Sequence, residues 1–170
     1  MTLPRLVYIS APYSHLNDGQ RRGIFWAIDE LSKELYTRFG RLAPIHVLVP
    51  IKTVCPAIQK TGQFIMYDAQ QSMESHDWLL SDLYLMRNAD LFVYLWAGDM
   101  SAGSAGMLTE FAYMCSMSYV RPIEYAVVSY AFDDRGNVVL SDADSDYWSR
   151  VCDSVVRNGR TDIHRIFLFQ

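Results

Sequence analysis

Residues 90–96, DLFVYLW, carry no charged side chain after the first position and are otherwise leucine, valine and aromatic residues. A strand with one wet face alternates apolar and polar residues, whereas a strand covered on both faces reads as a continuous apolar run. DLFVYLW therefore predicts a central strand of a parallel sheet. Parallel neighbours cannot be joined by a tight turn; each pair needs a crossover of a dozen or more residues, ordinarily a helix. That requirement constrains everything else the chain must supply.

The remaining segments alternate as the requirement demands. RLVYIS (5–10) is a short β-branched run ended by the turn-prone APYS. Asn17 or Asp18 can cap a helix with Ile24, Ile28, Leu31 and Leu35 along its apolar face, and Gly40 stops it. IHVLVP (45–50) predicts a second strand, closed by Pro50. Residues 51–73 have no clear period and contain Pro56 and Gly62, which predicts a long loop of the kind that more often serves function. ESHDWLLSDLYLMRNA (74–89) reads as a helix with Trp78, Leu79, Leu83 and Met86 on one side. After DLFVYLW come a loop and a helix running to about Tyr119, then a fourth strand, IEYAVVSY (123–130). FDDRGN is a turn, residues 142–159 form a polar helix ending at Gly159, and IHRIFLF (163–169) is the last strand. Strands alternating with helices predict an α/β fold: one domain over residues 1–170, a three-layer sandwich around a five-stranded, mostly parallel sheet.

Composition narrows the function. A chain of 170 residues with 51% hydrophobic content can bury a full core. A formal charge of −4 argues against nucleic acid or an anionic membrane as the main partner. No apolar run approaches the roughly 18 residues that span a bilayer, and the first residues lack a basic stretch followed by an apolar one, so a cytoplasmic protein is expected. Cys55, Cys115 and Cys152 are far apart, as are His15, His46, His76 and His164, so neither a disulfide framework nor a metal site is expected.

Ligands of such a sheet sit outside the carboxyl ends of the strands. The rule selects the SAPYS turn (Ser10, Ala11, Tyr13, Ser14), the loop after the second strand, and the loop AGDMSAGSAG at 97–106. Glycines in that last loop let a ligand approach the backbone, and the helix after it offers unpaired N–H groups to an anion. No Walker lysine is present, and no GxGxxG follows the first strand. Glu110 then stands in the first turn or two of an otherwise apolar helix, where the macrodipole would favour its charge.

YISAPYS at the first strand, DLYLMRNADLFVYL at the third and SAGMLTEFAYM after it resemble, in that order, the nucleoside 2-deoxyribosyltransferase superfamily, which includes the 2′-deoxynucleoside 5′-monophosphate N-glycosidases. The resemblance covers the first two-thirds of the chain and implies a flavodoxin- or Rossmann-like domain. It rests most on a glycine, Gly106, followed four residues later by a nucleophilic glutamate, Glu110. By the same resemblance Asp82 contacts the base or assists its departure, and Tyr8 orients the nucleophile. Such chemistry needs no cofactor: one carboxylate traps the anomeric carbon while another acid helps the base leave. The transferases usually carry Asp two residues before the motif glycine; here it is Ser104, which can donate to a phosphate where a carboxylate would repel it. Ser10, Ser14, Arg21 and Arg22 could add donors.

A nucleotide 5′-monophosphate hydrolysed by water is thus the favoured expectation. A deoxyribosyltransferase differs only in admitting a second base. A ligand-binding module for a nucleotide or ADP-ribose-like molecule, or an NAD-cleaving enzyme, is the reading from another class. The helix 107–119 carries Met107, Phe111, Tyr113, Met114, Met117 and Tyr119; one face must cover the sheet, which leaves Met and Tyr residues that would suit a partner helix. The resemblance implies a homodimer or higher homo-oligomer pairing across these helices, with Asn137 reaching into a neighbour's site.

Overall fold

The computed structural model describes residues 4–13, 15–52, 82–132, 138–140 and 163–165, the last two segments, Lys52 and Phe132 by backbone alone. Strand β1 (Leu6–Ser10) lies between β2 (His46–Leu48) and β3 (Leu91–Trp96), and β3 pairs in turn with β4 (Ile123–Phe132). These four strands are all parallel in the order β2-β1-β3-β4, with Ser10 opposite Tyr94 and Trp96 opposite Ser129. Every residue of β3 is buried, as its unbroken apolar run requires of a central strand. β4 outruns its neighbours. Its first residues pair in parallel with β6 (Ile163–Arg165), and its last pair antiparallel with β5 (Val138–Leu140). β5 falls where no strand is expected from the pattern: three residues are too few for a period to show. The expected helix at 142–159 and most of the 51–73 loop lie outside the described residues.

Helix α1 (Asp18–Phe39) begins at a capping box. The Asn17 side chain accepts from the Gln20 backbone N–H at 2.9 Å, and the Gln20 side chain accepts from the Asn17 N–H at 3.0 Å, so two donors at the helix end are satisfied reciprocally. Gly40 does stop the helix, but in the right-handed conformation (φ −64°), not the left-handed one that usually calls for glycine. The constraint is a close approach: a Cβ on Gly40 would lie 2.5 Å from the Tyr36 carbonyl oxygen.

Alternation along the strands divides the core in two. Val7, Ile9, Val93, Leu95, Ala126 and Val128 pack with Ile24, Ala27, Ile28, Leu31 and Leu35 of α1. On the other face, Tyr8, Phe92, Tyr94 and Tyr125 pack with Met86 of α2 (helical residues 82–86) and with Met107, Phe111 and Met114 of α4 (Ala105–Met117). Those three residues form the face of α4 that covers the sheet, and they complete the chain's own core. Among the described residues, no helix is long and apolar enough to cross a membrane.

Two contacts tie the second face together at its base. The Asp90 carboxylate accepts from the backbone N–H groups of Arg5 at 2.8 Å and Leu6 at 2.9 Å, binding the start of β3 to that of β1. The Arg121 guanidinium donates to the Ala89 carbonyl, linking the turn before β4 to the segment between α2 and β3.

Candidate active site

The loop after β3 delivers the site. Gly98 adopts φ +56°, and a single turn of helix, α3 (Asp99–Ala102), follows it. Ser101 closes that turn: its hydroxyl accepts from the Ala97 N–H at 2.8 Å and donates to the Leu95 carbonyl at 2.9 Å. Sequence reasoning passed over Ser101, since one serine among several in a loop carries no distinguishing signal. Ser104 is the N-cap of α4, its Oγ accepting from the Met107 N–H at 3.3 Å. As an acceptor there it keeps its own O–H to donate. Gly106 lies in the first turn with open space around it, since an added Cβ would meet only the Ser104 hydroxyl at 4.0 Å.

Glu110 follows from the helical period. Met107, Glu110, Phe111 and Met114 form one stripe of α4, and that stripe is the face buried on the sheet. A carboxylate thus stands in a row otherwise given to the core, with only 8% of its surface exposed. Two alternate residues of β1 point to the same face and meet it there. The Tyr8 hydroxyl donates to Glu110 Oε1 at 3.0 Å, and the Ser10 hydroxyl donates to Oε2.

Position in the helix corrects the dipole argument. Glu110 is the sixth residue of α4, past the first turn to which the macrodipole effect is confined. Burial governs its charge instead, raising the carboxyl from its ordinary 4.5 to about 7 although the Ser10 and Tyr8 hydrogen bonds pull it down. Asp82, in α2, is likewise raised to about 7, first by burial and then by the charge of Glu110. Tyr8 is pushed far above the usual phenol range by burial and by the two carboxylates, so it remains a donor. Asp82 and Glu110 interact, and two such groups titrate as a pair. The two hydroxyls favour the ionised form of Glu110, while Glu110 disfavours ionisation of Asp82. Both carboxyls are brought to about 7, so near neutral pH the pair can hold one carboxylate and one carboxylic acid side by side.

The other expected residues fall into three groups. Ser10 sits at the site, but its hydroxyl is directed to Glu110 and not outward to a phosphate. Tyr13 lies in the loop after β1 and Arg21 in the first turn of α1: the Arg21 Nε donates to the Tyr13 carbonyl at 3.3 Å, and the guanidinium lies 4.7 Å from the ring centroid of Tyr13. Arg21 also approaches Asp18 at 3.9 Å, so it braces this loop; Ala11 is half-buried and Arg22 exposed. Ser14 and Asn137 lie outside the described residues. Sequence reasoning also missed how closely the two loops approach: a Cβ added to Gly103 would lie 3.4 Å from Nε2 of His15. Among the described residues, no group of three or more His, Cys, Asp or Glu side chains is placed to hold a metal ion.

No protein-family model matches the chain, and no curated protein matches it.

Proposed function

We propose that the chain cleaves the N-glycosidic bond of a 2′-deoxynucleoside 5′-monophosphate and releases the free base. One observation carries this reading: a buried glutamate, held by two hydroxyl donors, shares its surroundings with an aspartic acid whose proton it helps retain. Glu110 attacks the anomeric carbon, Asp82 protonates the departing base, and Tyr8 holds the nucleophile. Departure leaves an oxocarbenium-like centre, which forms more readily without a 2′-hydroxyl, and water then releases the sugar phosphate from Glu110. Ser104 and the open space at Gly106, at the N-terminus of α4, suit a phosphate better than a carboxylate at position 104 would.

Several finer features go with this reading. The full chain forms a flavodoxin- or Rossmann-like three-layer sandwich, its five-stranded parallel sheet made by adding β6 to the four central strands. The enzyme works in the cytoplasm, where free deoxynucleotides occur. It assembles as a homodimer or higher homo-oligomer through the outer side of α4 and the turn that follows it, where Leu108 of the helix and Tyr119 and Val120 of the turn are exposed.

The test is incubation with the 2′-deoxynucleosides, their 5′-monophosphates and NAD, scoring free base by chromatography, with Glu110→Gln as control. The proposal expects base from the monophosphates and a loss on the order of 10⁴-fold or more in the variant. Base released from nucleosides only, and transferred to a second base, would return the chain to the transferase reading. Nicotinamide released from NAD alone would assign it to dinucleotide cleavage.

A further inference from the structure

This inference rests on the glycosidase reading and concerns which oxygen of Glu110 reacts. Tyr8 holds Oε1 from the middle of β1, whereas Ser10, which holds Oε2, is the last residue of that strand. Ser10 is thus the nearer of the two to the carboxyl ends of the strands, the end at which a parallel sheet receives its ligand. We propose that Oε2 is the attacking oxygen and that Ser10 is a positioning residue whose hydroxyl assists the departure of Oε2 when the covalent intermediate is hydrolysed.

The two steps use that hydroxyl differently. In the first, a bond forms from Oε2 to the anomeric carbon as the bond from that carbon to the base nitrogen breaks. The base leaves with the electron pair of that bond and takes the proton of Asp82. Oε2 becomes an ester oxygen, a weak acceptor, while Oε1 becomes the ester carbonyl and keeps its bond from Tyr8. In the second, a water oxygen bonds to the anomeric carbon and gives its proton to Asp82. The bond to Oε2 breaks and its electron pair returns to Oε2. Negative charge grows on the atom to which Ser10 donates, and hydrogen bonds to charged groups are the strong ones. Ser10 therefore lowers the barrier of the second step, and because it stabilises the free carboxylate it gives no such help to the first.

Ser10→Ala and Ser10→Thr test this with the four common 2′-deoxynucleoside 5′-monophosphates at about pH 7, the value to which burial brings both Glu110 and Asp82, so that a carboxylate and an acid are present together. Rapid quenching follows free base, and mass spectrometry follows the protein. Ser10→Ala should release base in a burst of about one equivalent and then turn over about 10- to 100-fold more slowly than the native enzyme, with a deoxyribosyl phosphate adduct on the peptide carrying Glu110. Ser10→Thr keeps the hydroxyl and should turn over within several-fold of the native rate with no adduct. A Ser10→Ala steady rate equal to the native one, or a slow rate with neither burst nor adduct, overturns the proposal. Should Ser10→Ala not fold, Ser10→Cys, a weaker donor, carries the same two outcomes. If the native enzyme releases no base from any of the four, it is the glycosidase reading that fails. The Ser10 contact is then read without substrate by ¹³C NMR of labelled glutamate: Glu110 should titrate at higher pH in Ser10→Ala, and an unchanged midpoint contradicts it.

Discussion

Replacing Glu110 by glutamine should make the protein more stable above neutral pH while removing its activity. In the folded chain burial moves this carboxyl from 4.5 to about 7. At about 1.36 kcal/mol for each tenfold change in the ionisation constant, holding Glu110 ionised in the fold costs about 3 kcal/mol. The sign follows from proton binding. Between about 4.5 and 7 the folded chain binds the proton more tightly than the unfolded chain does, so stability falls as pH rises through that window. Below it the group is neutral in both states and the cost vanishes. Glutamine is neutral throughout and keeps both contacts, its Oε1 accepting from Tyr8 and its Nε2 donating to the Ser10 oxygen. It also relieves Asp82 of a neighbouring charge that raises it. Thermal unfolding followed by circular dichroism at pH 4 and pH 8, native against variant, gives the result by difference. The variant should melt roughly 5–10 °C higher at pH 8 and within a degree or two of native at pH 4. A variant melting at or below native at pH 8 would refute the reasoning, because Glu110 would then be an ordinary stabilising partner of two hydroxyls. A gain confined to high pH marks a site that trades stability for function.

Three further outcomes are expected. Tyr8→Phe keeps the buried ring but removes one donor that favours ionised Glu110, so kcat/KM should fall about 10-fold and its acid limb should move to higher pH; an unmoved limb contradicts the role given to the phenol. Ser104→Asp preserves the N-cap, since aspartate caps as well as serine, and should exchange the preference for a 5′-monophosphate for one for the nucleoside; a melting point close to native assigns the change to charge, and an unchanged preference removes phosphate from this position. If the enzyme assembles through the outer side of α4, activity per protomer should fall on dilution, and a fully active species of 19.5 kDa by light scattering at micromolar concentration would refute assembly.

Periodicity made much of the scaffold legible. The unbroken run of β3 and the recurrence of Ile24, Ile28, Leu31 and Leu35 in α1 each reflect burial that the order of apolar residues makes visible. β5 and α3 were hidden because three or four residues cannot display a period, and their pairing depends on distant segments. At the site, the meeting of Tyr8 with Glu110, 102 residues apart in sequence, was readable only through resemblance. The role of Ser10 was open to simpler reasoning: alternate residues of a strand share a face, so a serine two residues after Tyr8 reaches the same carboxylate. The burial of Glu110 was likewise open, since positions 107, 110, 111 and 114 fall on one helical stripe. Attention to the helix N-terminus obscured it. What the pattern could not supply was the electrostatic balance, which depends on the distance of Asp82 from Glu110 and on the water excluded around both.

Stereochemistry at the anomeric carbon tests the central claim most directly. With methanol added as a competing acceptor, ¹H NMR of the first product formed from a β-configured 2′-deoxynucleoside 5′-monophosphate reports which face was attacked. A glutamate nucleophile inverts the centre once and the acceptor inverts it again, so the account predicts the β-methyl glycoside, with none formed by Glu110→Gln. The α-methyl glycoside would mean that the acceptor attacks directly and that Glu110 never bonds to the sugar.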